Sequence, residues 1–112
     1  MSDQHTGFAV IYRWRIAADR EDSFVAAWAR LTELIRDHQG GRGSRLHRGE
    51  DGLFYAYAQW PTRAAWAVAD VSRLPNEAAA LSAQMQDAVL ERFDPIPLTP
   101  VGDLLVPEGT AD

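Results

Sequence analysis

Two side chains in this sequence are candidates for proton transfer. Tyr12 lies in an apolar stretch, where a phenol hydroxyl can hydrogen-bond a phenolic ligand or carry a proton. His47 is one of three histidines, and an imidazole on a strand can act as a general base near neutral pH. We predict both as catalytic residues. The alternatives are a core tyrosine with its hydroxyl at the rim and a barrel or surface histidine.

Four further aromatic residues are candidates for binding a flat ligand. Trp28 and Trp66 fall on two predicted helices that flank the same space, and aromatic walls suit a polycyclic molecule. Tyr55 and Tyr57 share one face of a predicted strand, where they line either a pocket or a dimer interior. We predict all four as substrate-binding residues. The alternative for the two tryptophans is ordinary core packing at helical spacing.

Several kinds of chemistry are excluded by composition. The chain has no cysteine, which removes disulfides, thiolate nucleophiles, zinc–thiolate sites and iron–sulfur clusters. The chain also has no lysine, since all 11 residues of the lysine and arginine count are arginine, and this excludes a Schiff-base mechanism. No histidine–carboxylate spacing indicates a metal, and no glycine-rich phosphate loop joins a strand to a helix. We therefore expect no metal.

Length and charge place the chain among small globular proteins. Its 112 residues, 46% of them hydrophobic, predict a single domain over residues 1–112 with a core of about residues 7–106. The net charge of −5 argues against binding to nucleic acid or to an acidic membrane surface. A polar start and the lack of a long apolar segment predict a cytoplasmic location.

The first half of the chain alternates a strand with a helix. A strand is predicted from Phe8 to Ile16, with large apolar groups at every second position. A helix is predicted from an N-cap at Asp19 to about His38, and the glycines that follow end it. The apolar stripe of this helix consists of Phe24, Trp28, Leu31 and Ile35.

The second half begins with a hairpin and ends with a last strand. Strands are predicted at Ser44 to Arg48 and Leu53 to Trp60, joined by a turn at residues 50–52. A second helix is capped by Thr62, breaks near Pro75 and resumes to about residue 92. Residues 93–100 hold three prolines, which predicts an extended segment poor in sheet hydrogen bonds. The last strand is predicted at residues 101–106.

The predicted order β-α-β-β-α-β is the ferredoxin-like pattern. It predicts an α+β fold with a four-stranded antiparallel sheet and both helical regions on one face. The first and third strands are apolar on both faces, so a monomer would expose Ile11. We therefore predict a homodimer that pairs two sheets into a shared barrel. The alternative is a monomer in which Arg13, Arg15 and Arg45 solvate the open face. Arg13 and Arg45 either bind an anion or pair with Asp103 across the barrel.

Several features together resemble one known family. They are the opening strand, the helix entry from Asp19 to Trp28, the glycine-rich joint before residues 44–48, and the run Tyr-Ala-Gln-Trp-Pro-Thr-Arg-Ala-Ala-Trp at 57–66. In that order they resemble the antibiotic biosynthesis monooxygenase family of the dimeric α/β-barrel superfamily, over about residues 7–106. The strongest element is the strand ending in Trp60, followed by a capped helix with an aromatic residue four positions past the cap.

The resemblance implies a homodimer with one pocket per subunit between sheet and helices. Enzymes of this family oxidise polycyclic aromatic phenols to quinones with molecular oxygen, using neither metal nor flavin. For this chain it implies a cofactor-independent oxygenase-like enzyme acting on an aromatic or polyketide-type small molecule.

The chain also departs from the family pattern. Haem-degrading relatives carry an asparagine on the first strand, and a tryptophan and a histidine on the second helical segment; the matching residues here are Tyr12, Ala69 and Ala79. Many members have a histidine after the helix break, where this chain has Asn76 and Glu77. Whether the chain is an enzyme therefore stays open. The alternatives are a non-catalytic small-molecule-binding or structural dimer of the same fold, and a non-oxidative cyclase or isomerase.

Overall fold

A five-stranded antiparallel sheet carries the helices on one of its faces. The computed structural model describes residues 7–105 of the chain. No helix within that range is long and apolar enough to cross a membrane. Two short 3-10 turns, at Ala18–Arg20 and Val71–Arg73, join longer elements. Those elements are β1 (Phe8–Ile16), α1 (Glu21–Gln39), β2 (Ser44–Arg48), β3 (Phe54–Trp60), α2 (Arg63–Ala67), α3 (Glu77–Ala88), β4 (Val89–Arg92) and β5 (Ile96–Leu98).

The strands lie in the order β2-β3-β1-β4, and β5 also pairs with β1. The α+β class and the predicted ferredoxin-like arrangement are confirmed, with one change in the last strand. β4 pairs with Trp14–Ile16, whereas β5 pairs with Ala9–Ile11. The two short strands therefore occupy one position in the sheet, beside β1, as two pieces of a broken fourth strand.

The predicted last strand at residues 101–106 is wrong for residues 101–105, which form no strand, and residue 106 lies outside the described residues. The segment expected to pair poorly, around Pro97, supplies β5 instead. An edge strand tolerates proline because one row of its backbone groups has no partner to lose. β5 therefore pairs with β1 beside Ala9–Ile11, the part of that edge that β4 leaves open.

The long helix ends earlier than the sequence indicates. It was predicted to continue to about residue 92, but α3 ends at Ala88. The backbone N–H of Ala17 donates to the Ala88 carbonyl at 2.9 Å, and the next residue, Val89, pairs with Ile16 on β1. Pairing with the sheet thus replaces the last turn of the predicted helix and places Arg92 on a strand.

The other helix ends agree with the sequence in part. The Thr62 hydroxyl accepts a hydrogen bond from the Ala65 N–H at 3.0 Å, as predicted for an N-cap. Gly40 ends α1 with a φ of 78°, the left-handed conformation that glycine adopts without strain. Asp19 is not the N-cap of α1, because it lies in the preceding 3-10 turn and Arg20 takes that position without a side-chain hydrogen bond.

Burial alternates along the whole of β3, as predicted, whereas on β1 it alternates only from Trp14 to Ile16, because Phe8, Ala9 and Val10 are all buried. On β1 the residues beneath the helices include Val10, with no exposed surface, and Trp14. On β3 the burial pattern alternates through all seven residues, from Phe54 to Trp60. Phe24 of α1 packs edge-on against Trp14 and Phe54, with ring centroids 5.1 and 6.0 Å away. This contact anchors α1 to the sheet.

We expect Phe24→Ala to lower the free energy of unfolding by about 3–5 kcal/mol, because a fully buried ring is lost and a cavity remains. Urea unfolding followed by circular dichroism measures this loss. The neighbouring variant Val25→Ala is the control, since Val25 is 40% exposed and its truncation costs less than about 1 kcal/mol. Equal losses in the two variants would contradict the assignment of Phe24 as the anchor.

Candidate functional site

A cavity of about 540 Å³ lies between the sheet and the helices. Its size falls within the range of small-molecule sites. Every strand of the sheet except β5 contributes to its lining, together with all three helices and the connection after α2. All four tryptophans of the chain line it: Trp14, Trp28, Trp60 and Trp66. The cavity therefore has aromatic walls suited to a flat ligand.

Small residues in the sheet make room for this cavity. β3 presents Ala56 and Ala58 to the helices, between the larger Phe54 and Trp60 at its ends. In the antiparallel register Tyr12 of β1 lies opposite Ala56. Because alanine side chains are short, the middle of β3 leaves a depression that the surrounding large residues enclose.

The hydroxyl of Tyr12 lines the cavity and is held by Trp66. The Trp66 indole N–H donates to the Tyr12 oxygen at 2.9 Å. The Thr62 cap begins α2 and so sets the position of Trp66 one turn later. No acceptor for the Tyr12 O–H is found among residues 7–105. The Tyr12 O–H can therefore donate a hydrogen bond to an oxygen of a ligand.

Burial raises the pKa of Tyr12 above its ordinary value, because a phenolate is poorly solvated there. The hydrogen bond from Trp66 and the positive charge of Arg92 act in the opposite direction and offset part of this rise. The phenol thus keeps its proton at physiological pH. Tyr12 is a hydrogen-bond donor in this site rather than a base.

Two of the predicted binding residues lie in different parts of the cavity lining. Trp28 packs against the core cluster around Trp14 and Phe24, whereas Trp66 packs against the cluster around Phe8. The Tyr12 side chain packs against both clusters and stacks near Trp14 at 6.0 Å with 14° between the rings. The structure therefore brings together Tyr12, Trp28 and Trp66, as the sequence predicted.

Two buried polar atoms belong to residues of the cavity lining. They are Ser44 Oγ and Trp60 Nε1, and neither has a hydrogen-bond partner among the described residues. The Trp60 ring also approaches Gly41, where an added Cβ would lie 3.7 Å from the ring and only 3.0 Å from Ile35. Glycine at this position lets the chain after α1 pass close to Ile35 of that helix.

The remaining predicted site residues lie on the opposite face of the sheet. His47 is paired with Tyr55 in the β2–β3 register, and Tyr57 is paired with Arg45, so all four alternate away from the helices. The Arg45 Nε–H donates to His47 Nε2 at 3.0 Å, and the Tyr55 hydroxyl donates to the Asp51 carboxylate. The structure does not bring His47, Tyr55 or Tyr57 to the cavity of Tyr12.

The arginines on that open face have partners within the chain. Arg13 lies over the Phe93 ring at 5.2 Å and donates to the Asp94 carbonyl at 3.4 Å. Arg45 has His47 as its partner. An oxygen of Asp103 accepts from the Leu105 N–H at 3.1 Å. The predicted pairing across a barrel requires a second subunit and stays a prediction.

Sequence reasoning missed three parts of the lining. Trp60 is not among the predicted site residues, although its position at the end of a strand carries part of the family resemblance. Ala56 and Ala58 have a detectable signal, two small residues on the helix-facing side of a strand flanked by aromatic ones. Arg92 has no such signal, because the sequence places it at the end of a helix.

Comparison with known proteins supports the resemblance. A family model described as antibiotic biosynthesis monooxygenase matches residues 7–69. The chain belongs to this family. The match covers β1 to α2 and so includes Tyr12, Trp28, Trp60 and Trp66. No curated protein matches the sequence.

Solved structures share the fold over almost the whole chain. A monooxygenase from the gene ActVA-Orf6 of Streptomyces coelicolor, bound to nanaomycin D, is 22% identical with a TM-score of 0.69, covering 95% of this chain and 97% of that one. SnoaB, a cofactor-independent oxygenase from Streptomyces nogalater, is 15% identical with a TM-score of 0.66, covering 87% and 95%. Rv0793 from Mycobacterium tuberculosis is 18% identical with a TM-score of 0.66, covering 88% and 98%.

We expect an alkaline titration of tyrosinate absorbance to show Tyr12 ionising above the ordinary value of about 10. Tyr12→Phe should remove that transition. Trp66→Phe should move it to still higher pH, because the indole N–H stabilises the phenolate and its loss favours the neutral form. A Tyr12 transition that stays in place in Trp66→Phe would contradict the hydrogen bond.

The raised pKa of Tyr12 also makes the stability of the protein depend on pH. A phenol whose pKa is raised by folding stabilises the protein below its unfolded pKa, and this contribution is lost as the pH rises through the folded pKa. Tyr12→Phe should therefore lose less stability than the wild type between neutral and strongly alkaline pH. Urea unfolding at the two pH values measures the difference.

Proposed function

We propose that this protein is a cofactor-independent oxygenase acting on an aromatic, polyketide-type phenol. The observation that carries the proposal is the Tyr12 hydroxyl inside an aromatic cavity. Its oxygen accepts a hydrogen bond from Trp66, and its O–H can donate a hydrogen bond to a ligand. Membership of the antibiotic biosynthesis monooxygenase family supports it. The descriptions of two proteins with the same fold, a monooxygenase and a cofactor-independent oxygenase, support it as well.

The cavity suits a ligand of two or three fused rings. Its volume of about 540 Å³ accommodates a molecule of that size, and Trp28 and Trp66 contribute flat apolar surfaces to its lining. Tyr12 then supplies the hydrogen bond that fixes which edge of the ligand points toward the sheet. A phenol oxygen is the matching group, because it accepts this bond in both its neutral and its ionised form.

The proposed reaction balances without any further reductant. A phenol and O₂ give a quinone and water: one oxygen atom becomes the new carbonyl, and the other leaves as water with the hydrogens of the O–H and of the oxidised C–H. The substrate itself is oxidised and O₂ is reduced. The protein has to bind the phenol, stabilise negative charge on its oxygen, exclude bulk water and admit O₂.

Tyr12 fits the second of these tasks. Because burial raises its pKa, it does not take the proton of the substrate, but its O–H donates to the substrate oxygen as negative charge develops there. A hydrogen bond to a charged acceptor in a partly buried site is stronger than one in water. The aromatic walls limit the access of water to the same oxygen.

We also propose that the protein is a homodimer formed through the open face of the sheet. Ile11, Ile96 and Leu98 share that face by their register, and Ile96 and Leu98 are 38% and 37% exposed. Tyr57 lies opposite Ile11 on the same side. No helix among residues 7–105 covers this face, so a second sheet is a suitable partner for it.

The other expectations belong to the same proposal. Residues 1–112 form one domain with its core at about residues 7–106, the protein acts in the cytoplasm without a cofactor, and its partners are a second copy of the chain and an aromatic small molecule. It binds neither nucleic acid nor a membrane, in keeping with its net charge of −5.

We expect the wild type to consume O₂ when given a tricyclic phenol such as 9-anthrol, the enol tautomer of anthrone, and Tyr12→Phe to lower kcat/KM by about 10- to 100-fold, the loss of one charge-assisted hydrogen bond. An oxygen electrode and detection of the quinone measure this. The O-methyl ether of the same compound is the control, since it cannot form a phenolate and should not be oxidised.

A different outcome would favour an alternative function. Quenching of tryptophan fluorescence by the phenol, without O₂ uptake, would overturn the oxygenase and support a small-molecule-binding protein. Conversion of the ligand without O₂ uptake would support a cyclase or isomerase. O₂ uptake that is equal in Tyr12→Phe and the wild type would leave an oxygenase but contradict the role of Tyr12.

We expect light scattering to give a mass of twice that of the chain at micromolar concentration. Ile11→Asp should give a folded monomer, because a carboxylate at the centre of the open face is costly to bury between two sheets. Val25→Asp, at an exposed position of α1, is the control and should remain dimeric. A wild type that is monomeric would overturn the dimer.

A further inference from the structure

Arg92 occupies an unusual position at the cavity. It lies at the end of β4 opposite Trp14 of β1, and it lines the cavity that Trp14 also lines. Its charge is close enough to Tyr12 to act on that hydroxyl. A ligand oxygen bonded to Tyr12 would therefore lie within the field of this guanidinium.

Four of the ten other arginines in the described part of the chain are neutralised by ion pairs. Carboxylates pair with Arg15, Arg30, Arg36 and Arg48. Arg92 forms no ion pair with any carboxylate among residues 7–105. It is exposed, so its guanidinium is accessible to a ligand.

The other charged residues of the lining do not compete for the same role. Arg36 is paired with Asp37 at 3.4 Å. The Asp70 carboxylate accepts hydrogen bonds from the Ser72 N–H and hydroxyl, and these bonds hold its pKa below its usual range. Around Tyr12 the lining thus offers a neutral donor and an unneutralised cation, a combination that recognises an anionic oxygen.

We propose that Arg92 determines specificity in this cavity by pairing with an anionic oxygen of the ligand, a carboxylate or a phenolate, next to the Tyr12 hydroxyl. The preferred ligands are therefore anionic aromatic molecules rather than neutral ones. The inference uses the cavity of the proposed function, but it concerns binding and does not depend on oxygen chemistry. Arg92 selects and positions the ligand, and Tyr12 donates to it.

Matched probes test this inference through the fluorescence of the four cavity tryptophans. 2-Naphthoate and 2-naphthamide have the same shape and differ in charge. We expect the wild type to bind 2-naphthoate about tenfold more tightly, the effect of one charged hydrogen bond. Arg92→Gln should remove this preference by weakening 2-naphthoate alone, and Arg92→Lys should restore part of it.

A second pair of probes separates the two kinds of anion. 2-Naphthol ionises at alkaline pH, whereas 2-methoxynaphthalene stays neutral. If phenolates are accepted, the wild type binds 2-naphthol more tightly as it ionises, and Arg92→Gln does not. A preference for 2-naphthoate without this change in 2-naphthol restricts the site to carboxylates.

Arg73→Gln is the matched control, because it removes the same charge from an exposed turn outside the cavity lining. It should leave the preference for 2-naphthoate within about twofold of the wild type. Equal weakening of both naphthalene probes by Arg92→Gln, no preference in the wild type, or no binding of either probe would overturn the inference. Retained preference without O₂ uptake would overturn the proposed function instead and leave this inference standing.

Discussion

The hydrogen bond between Trp66 and Tyr12 determines how the cavity is built. Tyr12 packs against the two core clusters of the sheet, and Trp66 is the residue through which α2 reaches it. α2 has only five residues, too few to be stable by its own backbone hydrogen bonds. Its position depends on the Thr62 cap at one end and on this side-chain bond at the other. The hydrogen bond therefore both holds one wall of the cavity in place and leaves the Tyr12 O–H available as a donor.

The parts of this site that could be predicted from sequence depend on local periodicity. Alternation along residues 8–16 placed Tyr12 with the buried aromatic residues, and helical spacing placed Trp28 toward it. The parts that could not be predicted depend on long-range pairing. Residues 89–92 continue a helical pattern, and they become a strand only because β1 has a free edge beside Ile16. The position of Arg92 at the cavity follows from that pairing alone.

The sequence pattern does not separate the aromatic residues of the cavity from those of the open face. Alternation shows that Tyr55 and Tyr57 share a face, but it does not show which face the helices cover. On β3 both faces carry aromatic residues, so hydrophobicity gives no answer. The alanines decide it in the structure, since the helices pack over the side where Ala56 and Ala58 leave room. His47 follows Tyr55 to the open face because the two are paired in register.

Because the chain as a whole is negatively charged, Arg92 can favour an anionic ligand only at short range. A net charge of −5 does not attract an anionic ligand from a distance, and salt screens such long-range effects beyond about 10 Å. Preference for an anion therefore has to arise by contact inside the cavity, where fewer water molecules weaken the interaction. The pKa of Tyr12 indicates such limited solvation, because burial raises it even with the positive charge of Arg92 nearby. A ligand anion there can gain both the hydrogen bond of Tyr12 and the ion pair of Arg92, whereas a neutral ligand gains only the first.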